Sequence, residues 1–186
     1  MFKKLEEKYK KDVIPAMREK FGYKNDMAVP RIEKAVVNTG FGRQVAGKAA
    51  EEQKKTVEFI LGELSLICGQ RAVKTVSKKS IASFKIREGM VIGAKVTLRG
   101  KRMRDFLERL IHIVLPRTRD FKGIEQKSID KNGNLNVAVR EHIAFPEILP
   151  ERAKNIFGLE VTVVTTAKTR QESSELLKLL GFPMQS

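Results

Sequence analysis

The stretch Val91-Ile92-Gly93-Ala94-Lys95-Val96-Thr97-Leu98-Arg99 decides how the rest of the chain is read. Ile92, Ala94, Val96 and Leu98 alternate with Gly93, Lys95, Thr97 and Arg99, the period of two of a strand that buries one face and leaves the other open. One face needs a core; the other carries cations and a hydroxyl. This strand belongs to a basic segment, Arg71 to Arg104, in which eleven lysines and arginines stand against the single acid Glu88. Two-thirds of the net charge of +15 lies there.

A chain of 186 residues that is 41% hydrophobic is long enough for one compact domain with a real core, and too short to make two domains the expectation. With 32% charged residues it is globular with a basic surface, unlike a disordered chain. A pI near 10.0 points to nucleic acid before anionic membrane. No apolar run approaches the roughly 20 residues needed to span a bilayer, and no lipidation motif stands at either end, so no membrane partner is expected. The opening Met1-Phe2-Lys3-Lys4-Leu5-Glu6-Glu7 lacks the apolar core of a signal peptide and carries acids that transit peptides avoid. The expectation is a cytoplasmic protein. Cys68 is the sole cysteine and falls on the apolar stripe of a predicted helix, which reads as a core thiol. His112 and His142 lie far apart with no ligand cluster around them, so neither a metal site nor a cofactor is expected.

Before the strand, Phe2, Leu5, Tyr9, Val13, Met17 and Phe21 recur at steps of three and four, a helical stripe that Pro15 is expected to split, with Asp12 capping the second piece. A strand follows over 31–39. A helix over 49–67 lines Val57, Ile60, Leu61, Leu64, Ile67 and Cys68 along one face and stops at Gly69-Gln70, with a short strand over 72–77 beyond. After the opening stretch, a helix over 101–114 buries Met103, Phe106, Leu107, Leu110, Ile111 and Val114 and is expected to end at Pro116. Residues 124–145 read as a hairpin, 124–129 and then Leu135, Val137 and Val139, joined through Asn132-Gly133, a pair that tolerates positive φ. Pro146 and Pro150 punctuate a loop, a last strand covers 159–166, and Thr169-Arg170-Gln171-Glu172 opens the final helix as a capping box that closes at Gly181.

Two segments carry chemistry. Gly42, Gly47 and Lys48 fit G-x-x-x-x-G-K-[S/T], but Ala49 stands where a phosphate loop needs its magnesium-binding hydroxyl, and no later strand supplies the second metal ligand. A flexible turn is the better reading, and a nucleotide hydrolase remains only as an alternative. The loop Ser77 to Gly89 interleaves Lys78, Lys79, Lys85 and Arg87 with Ser80, Ser83, Ile81, Phe84 and Ile86, a mixture suited to phosphate contacts with packing or stacking on RNA. A generic RNA-binding protein is the other alternative.

Ordered blocks along nearly the whole chain resemble the universal family of large-subunit ribosomal protein five, which binds 5S rRNA, in its bacterial form. They are Lys79-Ser80-Ile81-Ala82 with Phe84-Lys85-Ile86-Arg87, Ile92-Gly93, Lys95-Val96-Thr97-Leu98-Arg99-Gly100, Arg102-Met103, and Leu115-Pro116-Arg117 with Arg119-Asp120-Phe121-Lys122-Gly123. Val29-Pro30-Arg31, Gly69-Gln70, Phe145-Pro146-Glu147-Ile148 and Thr165-Thr166-Ala167-Lys168 flank them. The resemblance implies an α+β fold, a mainly antiparallel sheet of about five strands with helices on one face, and a structural, non-enzymatic role in the central protuberance of the large subunit. It places 5S rRNA contacts at Lys34, Asn38, Gln70 and Thr97, and contact with P-site tRNA on the loop carrying Lys78, Lys79, Ser80, Phe84, Lys85 and Arg87. Large-subunit (23S) rRNA is a further partner, with Arg71, Lys95, Arg99 and Arg102 as expected phosphate contacts, and a small-subunit head protein is one across an intersubunit bridge. The hairpin departs from the family pattern, with Ile129, Lys131, Leu135 and Ala138 where aromatics and glycines are usual, and Arg71-Ala72 replaces a commoner Lys-Pro.

Overall fold

The computed structural model describes residues 4–119, 121–149, 151 and 155–185, so Phe2, Asp120 and Pro150 lie outside it. Five strands form one antiparallel sheet: β1 (Ile32–Gly40), β2 (Val73–Val76), β3 (Val91–Leu98), β4 (Leu135–Val139) and β5 (Leu159–Thr165), in the order β2-β3-β1-β5-β4. Alternation assigns the faces. Ala35 and Val37, Ala94, Val96 and Leu98, Leu135, Val137 and Val139, and Val161 and Val163 are buried together. Their neighbours in sequence point to the opposite face.

Four helices complete the core: α1 (residues 5–21), α2 (Ala50–Cys68), α3 (residues 100–117) and α4 (Arg170–Leu180). Val57, Ile60, Leu64 and Ile67 of α2, Met103, Phe106, Leu107 and Leu110 of α3, and Leu176, Leu177 and Leu180 of α4 join the strand residues in one apolar cluster. Burial drives this layer together, at about 25 cal/mol for each Å² of apolar surface removed from water. Gly69 ends α2 in the left-handed conformation (φ 60°), and α4 opens on the capping box, Thr169 accepting from the Glu172 N–H while Glu172 accepts from the Thr169 N–H. Two carbonyl-seeking hydroxyls, of Thr165 and Ser173, both donate to Gly133 O at 2.7 Å and tie α4 to the turn before β4.

The structure corrects three expectations. Pro15 does not split the first helix, and Asp12 is not its cap: Leu5–Lys8, a π-helical turn Tyr9–Val13 and Ile14–Phe21 run on as one helix. Pro116 likewise does not end α3, which passes through a π turn, Leu110–Val114, into Leu115–Arg117. Residues 124–129 are not a strand. Ile124 bridges Met184, Gln126–Ser128 make a 3-10 turn, and β4 pairs with β5 instead. Ile124 and Ile129 are five residues apart, so a straight strand would aim them at opposite faces; the turn lets both be buried, at 5% and 0% exposure. In the turn before β4, only Gly133 takes positive φ (78°), while Asp130 Oδ1 accepts the N–H groups of Asn132 and Asn134 at 2.8 Å each. The loop over 40–49 also contains one helical turn, Gly42–Val45, before Gly47 at φ 77°.

Candidate nucleic-acid interface

The helices leave the second face of the sheet open, and the register shows what it presents. Thr97, Val36 and Thr162 lie in one row across β3, β1 and β5, and Asn136 of β4 continues it. The next row runs Val73, Lys95, Asn38, Glu160 and Ala138. Lys34 shares this face, two residues before Val36. Lys34, Asn38 and Thr97 therefore converge on neighbouring strands, although a whole helix and a further strand separate Asn38 from Thr97 along the chain. Gln70 joins them from the α2–β2 junction: its amide Nε2 donates to Thr97 O at 3.1 Å, which leaves its own oxygen as an acceptor at the edge of the face. The exposed Asn38 amide has no hydrogen-bond partner among the described residues.

Such a patch can do two things. Uncharged amides and a hydroxyl can donate and accept, which suits ribose hydroxyls and base edges, and flanking cations hold phosphates. Lys95 stands beside Asn38 on the adjacent strand, Arg71 follows Gln70, and Arg102 is exposed in the first turn of α3. Arg99 reaches across to β1, its Nη1 3.0 Å from Glu33 Oε1. That guanidinium, with Lys34 next in effect, holds the Glu33 carboxyl below the usual range.

The basic loop is a second surface, beyond β2 and β3. Ile81 and Ile86 exchange both backbone hydrogen bonds (2.9 and 3.2 Å) around the turn Ala82–Phe84, and Ser80 Oγ accepts the Glu88 N–H at 2.9 Å. Lys85, at φ 53°, is the one non-glycine residue of positive φ among the described residues. Phe84 stands 61% exposed at this tip, and Lys78, Lys79, Ser80, Lys85 and Arg87 of the same loop are all exposed as well. An exposed aromatic ring in a loop of exposed cations is no core residue, and it has the chemistry to stack on a base.

Two other titratable groups, His142 and Cys68, are buried in the core. His142 is fully buried, stacked on Phe157 with ring centroids 4.0 Å apart; its Nδ1 accepts the Phe157 N–H at 3.3 Å, and its Nε2 lies 3.9 Å from Glu63 Oε2. Burial pushes the Cys68 thiol up to about 12, which makes it inert at neutral pH. No group of His, Cys, Asp and Glu among the described residues could hold a metal, and no helix there is long and apolar enough to cross a membrane.

Residues 25–87 match the family description "Ribosomal protein L5", and residues 91–184 match "ribosomal L5P family C-terminus". The chain belongs to the ribosomal protein L5 family. Proteins named large ribosomal subunit protein uL5 are similar along their whole length. That of Halothermothrix orenii is 50% identical over 179 residues, covering 96% of this chain and 97% of the relative. That of Carboxydothermus hydrogenoformans is 51% identical over 180 residues, 97% of each, and that of Syntrophomonas wolfei is 50% identical over 182 residues, 98% of this chain and 99% of the relative. The two L5 segments share one sheet, since β1 of the first is inserted between β3 and β5 of the second.

Sequence reading did not select Glu160, Thr162 or Asn136 of this L5 sheet. Thr162 Oγ1 donates to Asn136 Oδ1 at 2.7 Å, which turns the Asn136 amide nitrogen outward on the open face. The alternation of Glu160, Thr162 and Val164 with buried valines carries the signal that they face away from the core. Their position beside Asn38 depends on strand order, which alternation does not contain.

Proposed function

We propose that this protein is a structural constituent of the large ribosomal subunit that holds 5S rRNA on its open sheet face. The observation that carries the reading is the gathering of Lys34, Asn38, Gln70 and Thr97 into one polar patch with Lys95 and Arg99 at its borders. The family and the names of its full-length relatives support the setting, and the L5 family is non-enzymatic. Lysines and arginines, including Arg71 and Arg102, supply sequence-independent attraction to 5S and 23S rRNA through counterion release, while the amides and the hydroxyl read a folded RNA by shape. The loop around Phe84 serves a different ligand, the elbow of P-site tRNA, and a small-subunit head protein meets the molecule across an intersubunit bridge in the assembled cytoplasmic ribosome.

The test is a substitution that changes no charge. Asn38→Ala with Gln70→Ala is expected to weaken binding to a 5S rRNA transcript by at least about tenfold, on the order of 1 kcal/mol for each hydrogen-bonding group removed, and to leave the salt slope of binding unchanged. An unaltered affinity would place the 5S contacts elsewhere. A generic RNA binder predicts the opposite pattern, insensitivity to this pair and equal affinity for a tRNA-sized competitor.

A further inference from the structure

The carboxylate of Glu33 stands among the cations of the open face, where a polyanion would bind. Continuing the β1–β3 register one residue past Ala35 and Leu98 sets Lys34 and Arg99 opposite each other on that face. Like charges so placed repel. In an unbroken strand Glu33 would point away from Lys34, towards the other face. The strand is broken there by a bulge between Ile32 and Lys34 in the pairing with β5. Bulges re-aim side chains, and this one brings Glu33 Oε1 3.0 Å from Arg99 Nη1 and 4.0 Å from Lys34 Nζ. Arg31 adds a third positive charge acting on the same carboxylate.

We infer that Glu33 is an internal stand-in for an RNA phosphate, a carboxylate that holds Arg99 and Lys34 in the RNA-free protein and yields them to the backbone of bound RNA. The inference rests on the rRNA-binding reading above and names the residue that sets its threshold. Both partners of the pair are about half exposed, 58% for Arg99 and 47% for Glu33, so the bond is weak enough to exchange. A phosphate presents the guanidinium with the same acceptor geometry and a better bidentate fit. Glu33 therefore keeps the two cations apart from adventitious anions and aimed at one point, and an RNA must deliver a phosphate to that point to displace it. Specificity of this kind works by penalising ligands that cannot complete the exchange.

The experiment is a double-mutant cycle on the full chain: wild type, Glu33→Gln, Arg99→Ala and the double variant, titrated with a 5S rRNA transcript and a tRNA-sized control at fixed salt. Glu33→Gln is expected to bind 5S rRNA about two- to fivefold more tightly, the worth of an exposed ion pair, and the gain is expected to fall by more than half in the Arg99→Ala background. A gain that survives undiminished without Arg99 would reduce Glu33 to bulk charge. An unchanged or weakened affinity in Glu33→Gln would make it a support for Arg99, not a competitor; either result overturns the inference. A wild type that binds both RNAs equally refutes the 5S assignment alone, and the cycle then reads the exchange on either RNA. A wild type that binds neither RNA overturns both.

Discussion

Two glycines face each other in the sheet, Gly40 of β1 and Gly93 of β3, and their surroundings predict opposite responses to the same substitution. A Cβ on Gly93 would lie 2.6 Å from Thr75 Oγ1 and 2.8 Å from Thr39 O, whereas one on Gly40 would meet nothing within 4 Å. Thr75 can rotate away. The Thr39 carbonyl cannot, because it is backbone of β1, the strand at the centre of the sheet. Neither glycine has positive φ, so the backbone itself tolerates alanine at both positions. Overpacking of this kind costs about 1–3 kcal/mol, offset by about 0.4–1 kcal/mol of lost freedom in the unfolded chain. Gly93→Ala should therefore destabilise by about 1–2 kcal/mol, and Gly40→Ala should be neutral or stabilise by up to about 1 kcal/mol. For a chain of this size the two variants should differ by about 4–8 °C in Tm, with equal urea m-values showing that both unfold from the same compact state. Equal stability of the two variants would refute the packing argument, and with it the physical reason for glycine beside Ile92 in the family motif.

Thr165→Val and Ser173→Ala should each cost about 1 kcal/mol in urea denaturation, and the double variant more than the sum, because only the pair leaves the buried Gly133 carbonyl without either hydroxyl. Simple additivity would show that water replaces them. Burial holds the His142 imidazole below its ordinary range, so on acidification the unfolded chain takes up its proton first, near pH 6.5, and the folded state loses stability as pH falls through that region. His142→Gln should flatten the stability profile between about pH 7.5 and 5.5; an unchanged slope would assign the loss to other groups. Glu63 acts in the reverse sense at lower pH, since burial raises its pKa and the folded chain protonates first, so Glu63→Gln should remove a stabilising contribution that grows as pH falls towards the ordinary carboxylate range.

Features that depend on neighbours in sequence were legible. The alternation of β3, the one-sided stripe of α2, the stop at Gly69 and the capping box at Thr169 each follow from a few adjacent residues, and the structure has all of them. The site divides along the same line. Lys95, Thr97 and Arg99 declare their face by alternation alone, but Gln70 joins Thr97 only through a side-chain bond across the β2 edge, and Asn38 meets Lys95 only through register. Glu33 was illegible for a sharper reason. Its reversal of direction comes from a bulge against β5, a strand far later in the chain, so nothing near it in sequence announces that it belongs to the open face.

The two prolines expected to interrupt helices are tolerated through one shared mechanism. A proline inside an α-helix lacks a donor and pushes its ring against the carbonyl four residues back. In α1 the preceding turn widens by one residue, and the Ile14 N–H reaches back to Tyr9 O; in α3 the Leu115 N–H does the same to Leu110 O. Each π turn ends two residues before its proline, so the ring meets a loosened turn and the helix continues. What sustains the arrangement at the first proline is packing on both sides of it. Val13 and Met17 flank Pro15, Val114 and Leu115 precede Pro116, and all four are essentially inaccessible in the core. A helix that stopped at Pro15 would withdraw Met17 from the core, at about 1.5–3 kcal/mol, comparable to the roughly 3 kcal/mol that a proline costs in a regular helix. Widening one turn avoids most of that cost and keeps the burial. Tertiary packing therefore overrides the local rule at Pro15, and the same widened turn carries α3 past Pro116 to Arg117.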